Sequence, residues 1–110
     1  MIMKHPSECI EACIHCARVC EACENHCIMN GDRPDCARMC RDSAKICFLA
    51  ASFMASSSMF SDMLCELCAK ICRECAKECM KHDNPHCQTC GKVCEDCAAV
   101  VDKMILVAAD

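Results

Sequence analysis

Eighteen of the 110 residues are cysteine, and they recur at alternating spacings of three and four. The first stretch carries Cys9, Cys13, Cys16, Cys20, Cys23 and Cys27. The second carries Cys36, Cys40 and Cys47, the third Cys65, Cys68, Cys72, Cys75 and Cys79, and the fourth Cys87, Cys90, Cys94 and Cys97. A helix turns every 3.6 residues, so this spacing aims the sulfurs of each stretch along one stripe. The chain has seven Cys-x-x-x-Cys pairs, such as Cys36/Cys40, and six Cys-x-x-Cys pairs, such as Cys72/Cys75. Such neighbours have Cβ atoms roughly 5–6 Å apart. A metal with bonds of about 2.3 Å to sulfur can join two of them without distorting the helix. The chemistry on offer is therefore soft-metal binding by thiolates.

Thiolate and thioether ligands select Cu(I), Zn(II) or iron–sulfur clusters. Charge separates the first two. A zinc ion held by four thiolates keeps a net charge of about −2, and stacking such sites buries unpaired charge at high cost. One Cu(I) per thiolate is neutral however many are stacked. Sharing thiolates between zincs shrinks that penalty without erasing it. Zinc also prefers closed tetrahedra, whereas a long stripe of thiols suits low coordination numbers and bridging sulfurs. The residues favour Cu(I), on the order of one ion per cysteine. A zinc or mixed-metal, metallothionein-like sink is the alternative in the same class. The spacing lacks the clustered loops of iron–sulfur proteins.

Four helices are needed to position these stripes. Ser7 can cap a first helix, with Pro6 just outside it. Asn30-Gly31 ends that helix, because glycine suits the left-handed position after a helix. Pro34 fits the first turn of a second helix. Ser56-Ser57-Ser58 interrupts the pattern, and Asn84-Pro85 reads as the cap and first residue of a fourth helix. The expected helices lie near 7–30, 34–55, 59–82 and 85–108, each about 33–36 Å long at 1.5 Å per residue. Similar lengths and short connections predict an all-α, antiparallel, up-down-up-down four-helix bundle with a cysteine-lined core, one domain spanning 1–110.

An internal repeat supports this. Cys16-Ala17-Arg18-Val19-Cys20-Glu21-Ala22-Cys23 matches Cys68-Ala69-Lys70-Ile71-Cys72-Arg73-Glu74-Cys75 and Cys90-Gly91-Lys92-Val93-Cys94-Glu95-Asp96-Cys97. Ser43-Ala44-Lys45-Ile46-Cys47 is a decayed copy in the second helix. Each unit reads core, small, basic, β-branched, core, with the basic residue outward. Beyond the cysteines the core register continues as Ala50 and Met54 in helix two and as Val101, Met104 and Ala108 in helix four. In an antiparallel bundle these segments share one end with Met59, Met63, Phe48, Phe53 and Phe60. The other end is dense in sulfur and carries His26, His82 and His86. Met54, Met59, Met63 and Met104 are candidate thioether ligands at a weak entry site, although methionine at a core position is also ordinary packing. His26, His82 and His86 are candidates to complete the outermost copper site, although capping or solvated roles are the default. His15 points off the stripe. Val100, Ile105, Leu106 and Val107 spread around helix four, which favours burial by more than one neighbour and hence oligomerisation.

The repeated Cys-x-x-x-Cys pairs and the Cys-x-[Arg/Lys]-[Val/Ile]-Cys units resemble the cytosolic branch of the bacterial copper storage proteins, also called four-helix-bundle copper-binding proteins. The likeness covers nearly the whole chain. It implies a homotetramer of bundles, many Cu(I) ions inside a preformed tube, and all eighteen cysteines as ligands. A cytosolic setting is also expected because the start of the chain, Met1 to Cys9, shows no apolar signal region. A cytosolic chain keeps its thiols reduced, which weighs against a disulfide-stapled bundle.

The charge of −4 and the near-absence of aromatics leave nucleic-acid binding little support. The most apolar stretches are too short to cross a membrane. No nucleophile–base pair is apparent, so the chain reads as a store for copper homeostasis and detoxification and not as an enzyme. Its partners are copper ions, copies of itself, and a cytosolic copper donor or acceptor. The alternative from another class is a thiol redox or metal-delivery protein, which needs one or two exposed sites and not an interior ladder.

Overall fold

The structure, a computed structural model, describes residues 6–31 and 33–109, with side chains through Ile105. The expected positions of Leu106, Val107 and Ala108 side chains thus lie outside the described residues. Four helices account for nearly all of it: α1 (Pro6–Asn30), α2 (Pro34–Ala55), α3 (Ser61–Cys79) and α4 (Pro85–Ala109). Short connections make successive helices antiparallel. α1 packs on α2 and α4, and α3 packs on the same two. The result is an up-down-up-down bundle, 43 × 20 × 17 Å.

The helix boundaries follow from local chemistry. Gly31 adopts φ +70°, which only glycine takes without strain, and its N–H donates to the Cys27 carbonyl at 2.9 Å. Pro34 opens α2 with its fixed φ. Asn84 caps α4: its Oδ1 accepts the Cys87 N–H at 3.0 Å. Two expectations need correction. Pro6 is the first residue of α1 and Ser7 lies within its first turn, because a ring-fixed φ suits that first position. α3 is shorter than the expected 59–82. Ser57 takes a left-handed φ of 55°, and Ser58 Oγ then accepts the Phe60 N–H at 3.1 Å, which holds Met59 and Phe60 in the turn. At its other end, Lys81 and His82 donate to Glu78 and Cys79, three residues back, so the helix unwinds after Cys79.

The repeat has a packing meaning. Its small positions, Ala17, Ala44, Ala69 and Gly91, are all buried where helices approach. A Cβ on Gly91 would lie 3.0 Å from Met80 Sδ. Its basic positions, Arg18, Lys45, Lys70 and Lys92, are all exposed. Ile46 is buried, and Val19, Ile71 and Val93 pack against the core. Val100 and Ile105 do the same, so part of the apolar surface expected to recruit a second chain is covered within this one.

Candidate metal centre

All eighteen cysteines are free thiols, and none is more than 2% exposed. The bundle stacks the core positions in six levels. From the glycine-turn end these are Cys27, Cys36, Cys79, Cys87; then Cys23, Cys40, Cys75, Cys90; then Cys20, Ser43, Cys72, Cys94; then Cys16, Cys47, Cys68, Cys97. Carried on at the same helical spacing, the last two levels lose sulfur: Cys13, Cys65, Ala50 and Val101, then Cys9, Ser61, Met54 and Met104, all buried.

Sulfur contacts run within and between these levels. Cys36 Sγ is 3.6 Å from Cys79 and 3.7 Å from Cys87. Cys90 lies 3.7 Å from Cys20, and Cys20 lies 3.5 Å from Cys94. Cys16 is 3.8 Å from Cys94, and Cys47 is 3.5 Å from Cys72. Five groups of thiols converge closely enough to hold a metal, with sulfurs within 4.8 Å of one another. They are Cys23/Cys27/Cys36/Cys87, Cys23/Cys40/Cys79/Cys90, Cys20/Cys75/Cys90/Cys94, Cys16/Cys47/Cys72/Cys97 and Cys13/Cys68/Cys97. Cys23, Cys90 and Cys97 each belong to two groups. Sixteen cysteines are gathered this way; Cys9 and Cys65 sit outside the five groups, near one another at the methionine end.

Enclosure sets the acid–base behaviour. Burial pushes the Cys87 thiol up to about 11, against the pull of Asn84 Nδ2, which donates to its sulfur at 3.2 Å. Cys36 is raised by the same burial. Deeper in the column some thiols are pushed up and others down. The Cys16 and Cys20 sulfurs lie 3.9 Å apart, and the hydrogen bond they share pushes Cys16 up and Cys20 down. A metal-free column therefore holds a thiolate only where neighbouring S–H groups support it. A run of adjacent thiolates needs cations between them.

The auxiliary candidates divide. Met54 and Met104 are 3% and 7% exposed, in register with Cys9, whereas Met59 and Met63 are 80% and 68% exposed. Met63 lies two residues before Cys65, about 200° around the helix, and so faces away from the column. His26 of α1 and His86 of α4 stack with ring centroids 4.0 Å apart. His82 Nε2 instead sits 2.9 Å from Glu78 Oε2, which holds the Glu78 carboxyl below its usual range. His15 is exposed.

Two residues in contact with the sulfurs were not among the sequence candidates. Ser43 lies on the stripe at a cysteine position of the repeat, which is the signal that could have found it. Asn84 was read as a cap, and its second contact, to Cys87, follows from the same position one turn before that thiol. Replacing Asn84 by Ala is expected to cost about 1 kcal/mol, lowering the melting temperature of the metal-free protein by about 4 °C. A thermal melt followed by circular dichroism reads this. Asn84→Ser, which keeps a capping oxygen, should recover most of it; no recovery would mean that the cap is not the source.

A helical bundle enclosing a column of reduced, mutually touching thiols defines a soft-metal-binding protein of high capacity. The model of the copper storage proteins, Csp, matches residues 2–106, and the chain belongs to that family. A Bacillus subtilis (strain 168) protein described as the uncharacterized cysteine-rich protein YhjQ is 42% identical over 87 residues, spanning 76% of this chain and 81% of that one. The structure of Cu(I)-bound copper storage protein BsCsp3 superposes with a TM-score of 0.88 at 40% identity, covering 93% of this chain and 99% of its own. That of the Streptomyces lividans copper storage protein Ccsp, loaded with 10 copper equivalents, gives 0.85 at 27% identity, covering 90% and 82%. Among the described residues, no helix is long and apolar enough to cross a membrane.

Proposed function

We propose that this protein sequesters many Cu(I) ions in the cytosol, on thiolates of all eighteen cysteines, for copper homeostasis and detoxification. The observation that carries this reading is the sharing of cysteines between groups: Cys23, Cys90 and Cys97 each serve two. Sulfur separations of 3.5–4.0 Å suit either a trigonal or a tetrahedral ion. Sharing is what discriminates. It supplies bridging thiolates, and bridging carried on to one cation per thiolate is neutral for Cu(I) and not for zinc.

Each ion displaces a thiol proton, so loading is an exchange of Cu(I) for H⁺ and strengthens as pH rises. Met54 and Met104 can extend the column at its sulfur-poor end, with Met59 and Met63 as outer thioethers. His26 and His86, with His82 beside them, can complete the dense end. The Streptomyces lividans protein loaded with five coppers is described as cytosolic, which supports the same compartment here. A homotetramer, and exchange with a cytosolic copper donor or acceptor, complete the reading. Nucleophilic thiols shut inside a bundle favour storage over catalysis.

Anaerobic titration with Cu(I) and with Zn(II), followed by elemental analysis, tests this. The expected saturation is on the order of one Cu(I) per cysteine. Saturation at one or two ions per chain would instead mark a delivery protein. Stoichiometric zinc that Cu(I) fails to displace would mark a zinc sink.

A further inference from the structure

The column of sulfur carries one oxygen at its middle. On α2 the stripe reads Cys36, Cys40, Ser43, Cys47, and Ser43 is 0% exposed. The other three residues of its level, Cys20, Cys72 and Cys94, are all cysteine. Ser43 Oγ lies 3.4 Å from Cys20 Sγ, 3.6 Å from Cys72 Sγ and 3.9 Å from Cys94 Sγ. These sulfurs come from two different metal-holding groups: Cys72 belongs with Cys16, Cys47 and Cys97, and Cys20 and Cys94 belong with Cys75 and Cys90. Ser43 therefore stands at the junction between two groups.

Its chemistry there differs from that of a cysteine in a way that matters only when metal is present. In the protonated column the Cys20 S–H donates to Ser43 Oγ, and thiols elsewhere donate to one another. Every Cu(I) that binds removes an S–H proton, so these donors are consumed as the column fills. A hydroxyl keeps its proton, since it is far too weak an acid to be displaced by a soft ion. It can rotate from accepting a thiol proton to donating its own. Copper-bridging thiolates carry residual negative charge in a water-poor interior, where a hydrogen bond to charge is worth most.

We propose that Ser43 is a positioning residue for the copper held at this junction: its O–H donates to the thiolate of Cys72 or of the facing Cys20 and Cys94, and so tightens a three-sulfur level. This rests on the reading of the column as the Cu(I) store. Copper occupancy and release are measured together on the parent, Ser43→Ala and Ser43→Cys, by anaerobic Cu(I) titration and by competition against a graded series of Cu(I) chelators. Ser43→Ala should hold as many ions as the parent but release a subset of them at about tenfold lower chelator strength. Ser43→Cys should take up about one further Cu(I) per chain. The proposal is overturned if the Ser43→Ala release curve overlays the parent's. It is equally overturned if all ions weaken evenly together with a lower melting temperature of the metal-free variant, which is the signature of a packing role. An unchanged capacity in Ser43→Cys would show that the position does not reach the copper. A parent that binds only one or two ions would remove the storage reading itself, an outcome distinct from the other three.

Discussion

Loading with Cu(I) is expected to raise the melting temperature by tens of degrees. The metal-free core is thin in hydrophobic terms. Its fully enclosed side chains are cysteines, alanines, Ser43 and Val101, of which Val101 is the largest, and Phe48 and Phe60 lie at the surface. Thiols pack as small hydrophobes, so the empty bundle is folded by periodicity, caps and many small contacts, with a stability within the usual 5–15 kcal/mol or so. A ligand present at about a thousand times its dissociation constant adds about 4 kcal/mol per site. Several such ions together exceed the stability of the empty fold. For a chain of this length each kcal/mol moves the midpoint by about 4 °C. Far-ultraviolet circular dichroism should therefore show a strongly helical metal-free protein with an accessible transition, and a loaded protein with that transition displaced far upward. At Cys87 the empty and the loaded protein should depend on pH with opposite sign. In the empty protein Cys87 is raised to about 11, so the folded state holds its proton more tightly than the unfolded state does. That contribution is full below the ordinary thiol pKa and is lost as pH rises toward 11. In the loaded protein protons compete with copper, so stability falls as pH falls. An unfolded metal-free chain would replace the preformed tube with a metallothionein-like wrap. Midpoints within a few degrees of each other would place the copper outside the bundle.

The parts of this arrangement that were legible in the sequence are those that a single helix determines. Spacing of three and four assigns Cys9 through Cys27 to one stripe without reference to any other helix, and the same holds on α2, α3 and α4. Gly31, Pro34 and Asn84-Pro85 mark boundaries because each residue's own backbone chemistry decides its place. What a side chain meets across the bundle depends on the vertical register between helices, which spacing does not carry. Grouping the histidines by bundle end left open that His26 would stack on His86 while His82 turned back to Glu78, one turn earlier on its own chain. Met63 is the reverse case. Its angle from Cys65 was readable and marks it as an outer residue, so treating it as equivalent to Met54 and Met104 let shared location stand in for orientation. Ser43 was visible as a gap in the repeat, but its three sulfur contacts come from three other helices.

Removing the sulfur from the Ser43 level should cut the store in two. In Cys20→Ala/Cys72→Ala/Cys94→Ala that level holds no thiol at all. The flanking cysteines on α1, Cys16 and Cys23, are seven residues apart, about 10.5 Å along the axis. A metal with bonds of about 2.3 Å reaches between sulfurs no more than about 4.6 Å apart, so no ion can bridge that gap. The variant should lose more than three Cu(I) ions, because ions that share a removed thiolate with an intact level lose a ligand as well. Cys9→Ala/Cys65→Ala is the control. These two cysteines stand outside the five converging groups, and their loss should remove about two ions, one per thiolate. Alanine is the best helix former, and each deleted sulfur leaves a cavity of about one methyl group, costing about 1 kcal/mol. Both variants should therefore remain helical, which circular dichroism checks before titration. Elemental analysis after anaerobic loading gives the counts. If the triple variant loses three ions or fewer, as a set of independent sites would, then the thiolates are not shared. The neutral, bridged column that favours Cu(I) over zinc would then give way to a row of separate sites.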